Sequence, residues 1–167
     1  MMGVFANIEH TWLSVWVRES PSLLAFPFIL YLHTLGLAML AGVNVGLDIW
    51  LLSARNHVPA IRQGVYQVMW LGFGVNALSG LALLAAYPAK ALTNWVFFAK
   101  LGLIAVAMWV LEITKRELVT ADRGGATVVN DRLRRLAMLS IALWGATVFA
   151  GRFLAYTHSI LLASEGF

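Results

Sequence analysis

The sequence predicts an all-α integral membrane protein, a four-helix up-down-up-down bundle preceded by a short N-terminal interfacial amphipathic helix. Apolar residues make up 60% of the 167-residue chain and charged residues only 12%, and the mean hydropathy is +0.79. These values lie far from those of soluble proteins. The charges cluster between four long apolar stretches, so each stretch is predicted to cross the bilayer as a helix, which satisfies its own backbone hydrogen bonds there.

The four spans are predicted at about residues 23–52, 65–87, 95–113 and 136–163. Each approaches or exceeds the roughly 20 residues that cross a hydrocarbon layer of about 30 Å. Together they form one domain, residues 21–167. Short connections favour antiparallel neighbours, so we expect the first helix to lie beside both the second and the fourth.

Residues 1–20 are predicted to form the interfacial helix. Phe5, Ile8, Trp12 and Trp16 recur at helical spacing with polar residues between them. The segment has neither the basic start nor the small-residue cleavage site of a secretory signal, so we expect it to stay on the protein.

The distribution of positive charge predicts the orientation. Lys and Arg concentrate in the connections after the first and third spans, whereas the opposite side carries only Arg18 and Lys90. We therefore expect a multi-pass protein of the bacterial cytoplasmic (inner) membrane with both termini on the outer, periplasmic side. A basic face beside anionic lipid accounts for the net charge of +4 without a nucleic-acid partner.

Several kinds of chemistry are excluded by composition. The chain has no cysteine, so disulfides, iron–sulfur clusters and thiolate zinc sites are ruled out. The motifs of phosphate-binding loops, nucleophile triads and zinc proteases are missing, and no catalytic residue is assigned. Whether the chain is an enzyme stays open, and an electron-transfer or accessory subunit is favoured over a stand-alone enzyme.

Two histidines lie inside apolar stretches, where a histidine is costly. His33 is early in the first span and His158 late in the last, so antiparallel helices bring them to the same side of the membrane. Such a pair is suited to hold a heme or a metal ion, which makes His33 and His158 candidate metal ligands. The alternative for each is a neutral ring hydrogen-bonded to another helix. His10 is a candidate third ligand, and His57 is expected to be solvated.

Two basic residues in the outer half of the spans have no acidic residue at their level. They are Lys100 and Arg152, and outward-pointing heme propionates would supply the missing negative charge. Tyr156 follows Arg152 by four residues and would support it, while Gly151 leaves room for a flat macrocycle. Snorkelling of Lys100 to the interface, and bonding of Arg152 to helix carbonyls, Tyr156 or the acids of the N-terminal helix, are the alternatives.

Small and polar residues predict the helix contacts. On the first helix, His33, Asn44 and Asp48 lie within about 60° of one another at 100° per residue, which predicts one polar stripe. On the second helix, one face carries residues suited to close approach and interhelical hydrogen bonds: Gly72, Asn76, Ser79 and Gly80.

Most of the chain, from about residue 12 to residue 163, resembles an uncharacterised bacterial four-helix integral-membrane family, a domain of unknown function. The resemblance is carried by the runs HTLGLAML, GLDIWLLS, WLGFGVNALSGLALLAAYP, FFAKLGL and AGRFLAYT. Its most specific elements are His33 with Gly36, Asp48 with Leu51 and Leu52, Lys100, and Gly151 with Arg152 and Tyr156. The layout is also loosely similar to copper-resistance D-type membrane domains and to small b-type cytochromes.

The resemblance implies the four-helix fold, adds Gly36 to the candidate cofactor contacts, and points to heme or copper. The chain lacks the methionine-rich motifs of a copper carrier, and its methionines are typical of packing residues. The leading hypothesis is a small heme b protein for electron transfer, alone or as the membrane subunit of a redox complex. His33 and His158 would be the axial ligands, and Lys100, Arg152, Tyr156, Gly151 and Gly36 would contact the cofactor.

Two other hypotheses stay open. One is a structural or assembly subunit without a cofactor, and the other is a transport protein for a metal ion or proton that uses His33, Asn44 and Asp48 as a polar path. In every case the lipid bilayer is a partner, with redox-complex subunits or a second copy of the chain as expected protein partners.

Overall fold

A computed structural model describes residues 15–17, 22, 25–54, 63–86, 88, 92–123 and 129–164, the side chains of residues 63, 122, 123 and 155–164 excepted. These residues form four long helices and no strand: α1 (Phe26–Ser53), α2 (Gln63–Ala86), α3 (Trp95–Arg123) and α4 (Asp131–Ser164). Each is long and apolar enough to cross a membrane. The predicted all-α four-helix membrane fold is confirmed.

The helices extend beyond the apolar stretches at one end of the bundle. α3 continues past residue 113 to Arg123, and α4 begins at Asp131 rather than at residue 136. Asn130 starts α4 by accepting a hydrogen bond from the Leu133 N–H at 2.8 Å. Arg132 and Glu117 join the two extensions through an ion pair at 2.9 Å. Charged residues end the apolar stretch but not the helix, because water solvates their side chains once they leave the hydrocarbon.

The helices pack in the spatial order α2, α1, α4, α3. We call the end of the bundle that holds Phe26 the outer end, following the predicted orientation. The outer half of α1 packs on α2, the inner half of α1 packs on α4, and α4 packs on α3. At the inner end, Lys115 of α3 lies 5.1 Å from the centre of the Tyr66 ring of α2. The expected position of α1 between α2 and α4 is thus observed.

A π-helical turn interrupts α1 at Ala38–Gly42. A π turn holds more residues than an α turn and therefore rotates every side chain that follows it. On its outer side His33 faces α2, and on its inner side Asn44 faces α4. The single polar stripe predicted for an unbroken α-helix is therefore split between two helix contacts.

The N-terminal segment lies largely outside the described residues. Residues 15–17 are helical, with Val17 buried and Trp16 half-exposed. The interfacial helix predicted for residues 1–20 stays a prediction, as do the positions of His10 and of His57.

Candidate functional site

The backbones of α1 and α2 touch at two glycines. A Cβ atom added to Gly36 would lie 2.5 Å from the Asn76 N and 2.8 Å from the Gly72 O. One added to Gly72 would lie 2.7 Å from the Met39 Cβ. Small residues permit this kind of close helix approach in membranes. The sequence suggested Gly36 as a candidate cofactor contact. In the structure, α2 packs directly against this residue.

The close approach allows His33 to hydrogen-bond across to α2. Its Nδ1 lies 3.0 Å from the Asn76 carbonyl O and 3.2 Å from the Ser79 Oγ. In return, the Asn76 Nδ2 donates to the His33 carbonyl O at 2.7 Å. Gly80 makes room for the ring, since a Cβ there would lie 3.1 Å from the His33 Cε1. The polar face predicted on α2 is therefore the partner of His33.

These contacts assign the tautomer of the His33 ring. The Ser79 hydroxyl has one proton, which it donates to the Val75 carbonyl O at 2.6 Å, so its oxygen can only accept from His33. The Asn76 carbonyl is also an acceptor. Both partners of Nδ1 are acceptors, so this network places the proton of the neutral ring on Nδ1. Nε2 then keeps its lone pair, and it makes no hydrogen bond to any described residue.

Lys100 brings a positive charge to the same part of the bundle. Its Cε and Nζ each lie 3.6 Å from the position of a Cβ on Gly151, so the side chain passes over the space that this glycine leaves on α4. The ammonium group is close enough to interact electrostatically with His33. In the described part of the chain, Lys100 has neither an ion-pair partner nor a hydrogen-bond partner. The structure thus brings together His33, Lys100 and Gly151 from three helices.

The other candidates lie apart from these three. The Arg152 side chain is exposed on the surface of α4, and its predicted role toward a propionate stays a prediction. Because Arg152 directly follows Gly151 on an α-helix, it points about 100° away from the face that carries Lys100. Tyr156 and His158 lie on α4, with side chains outside the described part, and their predicted roles stay predictions.

The register of α1 against α4 sets the level of each histidine. The Ser140 hydroxyl donates to the Asn44 Oδ1 at 2.8 Å, which pairs these two positions. Counting outward from this contact on both helices places His33 level with Gly151. His158 then lies about 10 Å nearer the outer end, at about 1.5 Å per residue. The two histidines are on the same side of the bundle, but they are offset along it.

A second polar group fills the inner half of the contact between α1 and α4. Asn44, Asp48 and Ser140 are buried, at 1%, 2% and 1% exposure. The Ser140 hydroxyl donates to the Asn44 Oδ1, and the buried Asp48 Oδ2 makes no hydrogen bond in the structure. On α4, the buried Trp144 Nε1 also makes none.

The sequence prediction did not include Ser140 or Trp144 in this group. The available signal was a serine within the apolar stretch of α4 with a tryptophan four residues later on the same face. Each is unremarkable alone, and only the register of α4 against α1 places Ser140 opposite Asn44.

Arg55, seven residues after Asp48, lies outside the described residues. The described basic residue at that end of the contact is Arg134 of α4. Its guanidinium donates to the carbonyl oxygens of Leu52 and Ala54 at 3.4 Å and 3.1 Å. These carbonyls belong to the end of α1, where no further helical turn supplies N–H donors for them.

Comparison with protein-family models, with curated proteins and with solved structures finds no match for this chain. Among the residues that the structure describes, no group of three or more His, Asp or Glu side chains is arranged to hold a metal ion. Two groups of polar side chains therefore carry the evidence on function: His33 with Lys100, and Asn44 with Asp48 and Ser140.

Proposed function

We propose that the protein is a small heme b-binding membrane protein that transfers electrons, alone or as the membrane subunit of a redox complex. The observation that carries the proposal is the orientation of His33. A histidine that ligates iron must present a nitrogen lone pair, and its other nitrogen usually donates to a carbonyl or carboxylate that fixes the ring. The Nδ1 contacts of His33 with Asn76 and Ser79 meet this requirement and leave Nε2 free.

The charge near His33 supports the same proposal. An uncompensated ammonium group within a membrane span is costly unless an anion or water solvates it. Lys100 has no acidic partner among the described residues, and its ammonium group interacts electrostatically with His33. The propionate groups of heme are anions, and they belong to the same molecule whose iron His33 would ligate. Bound heme would supply a one-electron carrier, and the protein would orient it and tune its potential.

The proposed second axial ligand is His158. At about 1.5 Å per residue it lies about 10 Å outward of His33, so shared ligation requires tilt of α4 or a displaced macrocycle. Arg152 and Tyr156 would serve propionates only at the outer edge of such a site. The two histidines therefore make separable contributions, and each is tested by its own variant.

The decisive experiment is an optical spectrum of protein purified from heme-replete cells, oxidised and then reduced with dithionite. A Soret band with sharp reduced α and β bands is expected, and it should be lost in His33→Ala. His57→Ala is the control, because this loop histidine is predicted to be solvated. Loss of the sharp bands in His158→Ala would identify the second ligand, whereas retention would assign ligation to His33 without it. A colourless, metal-free wild-type protein would overturn the proposal.

A structural or assembly subunit is the second candidate. It is favoured by the reciprocal hydrogen bonds between His33 and Asn76, which cross-link α1 and α2 without any cofactor. It predicts a colourless protein in which His33→Ala still assembles. The transport hypothesis requires that His33, Asn44 and Asp48 line one polar path. In the structure, His33 faces α2, whereas Asn44 and Asp48 are enclosed against α4.

A further inference from the structure

We propose that the inner polar group is a proton-binding site, in which Asp48 holds an exchangeable proton inside the membrane. The site adds proton binding to the proposed electron transfer and does not depend on heme. Asp48 is 2% exposed at the contact between α1 and α4, and its Oδ2 makes no hydrogen bond in the structure.

The direction of the hydrogen bonds indicates which form of Asp48 is present. Ser140 has one hydroxyl proton and donates it to the Asn44 Oδ1. That proton is therefore not available to an ionised carboxylate at Asp48. The neutral acid is also the form that burial favours, because an ionised carboxylate in hydrocarbon needs a compensating charge.

The charged and titratable groups of the surrounding helices do not supply that charge. On α4, the Arg134 guanidinium is bound to backbone carbonyls at the end of α1. On α2 and α3, Tyr66 lies beneath Lys115, which pairs with Glu112 at 3.6 Å. Within the described part of the chain, neither salt bridge involves Asp48.

One unpaired atom of the carboxyl group supports the neutral form. The Asp48 Oδ2 is buried and makes no hydrogen bond in the structure. A carboxylate presents two charged oxygens that need donors, whereas the neutral acid supplies a proton of its own. A buried water molecule can accept that proton and carry it away from the site.

Release of the proton would reverse the chain of hydrogen bonds. The O–H bond of Asp48 breaks, the proton passes to water, and no electron moves. Ser140 must then turn its hydroxyl toward the carboxylate, and Asn44 must turn its amide so that an N–H faces Ser140. The protonation state of Asp48 is thereby linked to the polar contact that joins α1 to α4.

Infrared spectroscopy of the protein reconstituted in liposomes tests the proposal. The C=O stretch of a neutral carboxyl group lies apart from the amide bands. We expect this band at neutral pH, its shift to lower frequency after transfer to D₂O, and its loss as the pH is raised. It should be missing in Asp48→Asn and unchanged in Glu112→Gln, which removes a half-exposed carboxylate already paired with Lys115.

Three outcomes would overturn the proposal: no neutral carboxyl band, a band that survives in Asp48→Asn, or a band that responds to neither D₂O nor pH. If Asp48→Asn does not fold, Ser140→Ala decides the matter. It removes the hydroxyl group that joins α4 to Asn44 beside Asp48, and it should shift the band frequency without abolishing the band. An unchanged frequency would contradict the site.

Discussion

Replacing Gly36 by alanine tests the close contact on which the His33 site depends. The new Cβ would lie 2.5 Å from the Asn76 N and 2.8 Å from the Gly72 O, both of them backbone atoms that cannot rotate away. Ordinary contact at such a position begins at 3.4 Å. The two helices must therefore separate locally by about 1 Å, and a gap of that size loses roughly a quarter to a half of the dispersion energy of the atoms around it.

The cost follows from packing and hydrogen bonds together. Overpacking of a close contact costs about 1–3 kcal/mol. Separation also weakens the reciprocal bonds between His33 and Asn76, each worth on average about 0.6 kcal/mol between membrane helices. We expect Gly36→Ala to lower the free energy of unfolding by about 2–4 kcal/mol.

The assay is reversible unfolding in mixed micelles with increasing dodecyl sulfate, followed by circular dichroism. Gly46→Ala is the matched control, because it lies on the same helix and a Cβ there meets nothing within 4 Å. Alanine favours the helix at such a site, so the control should be unchanged or slightly stabilised. A loss below about 0.5 kcal/mol in Gly36→Ala, or an equal loss in Gly46→Ala, would refute the reasoning.

Three further predictions follow from the polar contacts. Ser140→Ala removes the buried hydroxyl that bonds Asn44, so the same titration should show a loss of about 1–2 kcal/mol, and an unchanged free energy would contradict the contact. Gly151→Leu places side-chain atoms where Lys100 lies and should reduce heme retention on purification. Gly151→Ala should retain heme, because its Cβ would lie 3.6 Å from the Lys100 Nζ. Equal retention in the two variants would count against a role for Lys100. Glu117→Gln breaks the ion pair with Arg132 near solvent. The free energy of unfolding should fall by less than about 1 kcal/mol at low salt and by less still at high salt. A larger loss that does not depend on salt would show that the pair is not a surface one.

The sequence predicted the number and order of the helices, and two of the helices continue beyond the predicted membrane spans. Apolar length reports where the hydrocarbon begins, and helical hydrogen bonding continues into water wherever the residues allow it. α3 therefore runs on to Arg123, and α4 starts at Asp131 beside its cap, Asn130. The cap itself is a local pattern that a search for helix starts can find.

The candidate site was only partly predictable. Lys100, Gly151 and His33 were all identified from the sequence, and the structure brings them together. The depth of Arg152 can be counted along its helix, whereas its exposure depends on which face of α4 the neighbouring helix α3 covers. The partners of His33 were recognised as a small polar face of α2, but their pairing with His33 was not, because it depends on the contact of Gly36 with Gly72.

What the sequence by itself determined is the membrane fold and the depth of each polar residue, because hydropathy and helical rise are local properties of the chain. Only the tertiary structure decided which helix each polar residue faces. The π turn at Ala38–Gly42 rotates the inner half of α1, so that Asn44 and Asp48 meet Ser140 while His33 meets Asn76. Helix phase and interhelical register depend on contacts between residues far apart in the chain, and a periodicity counted along one helix does not contain them.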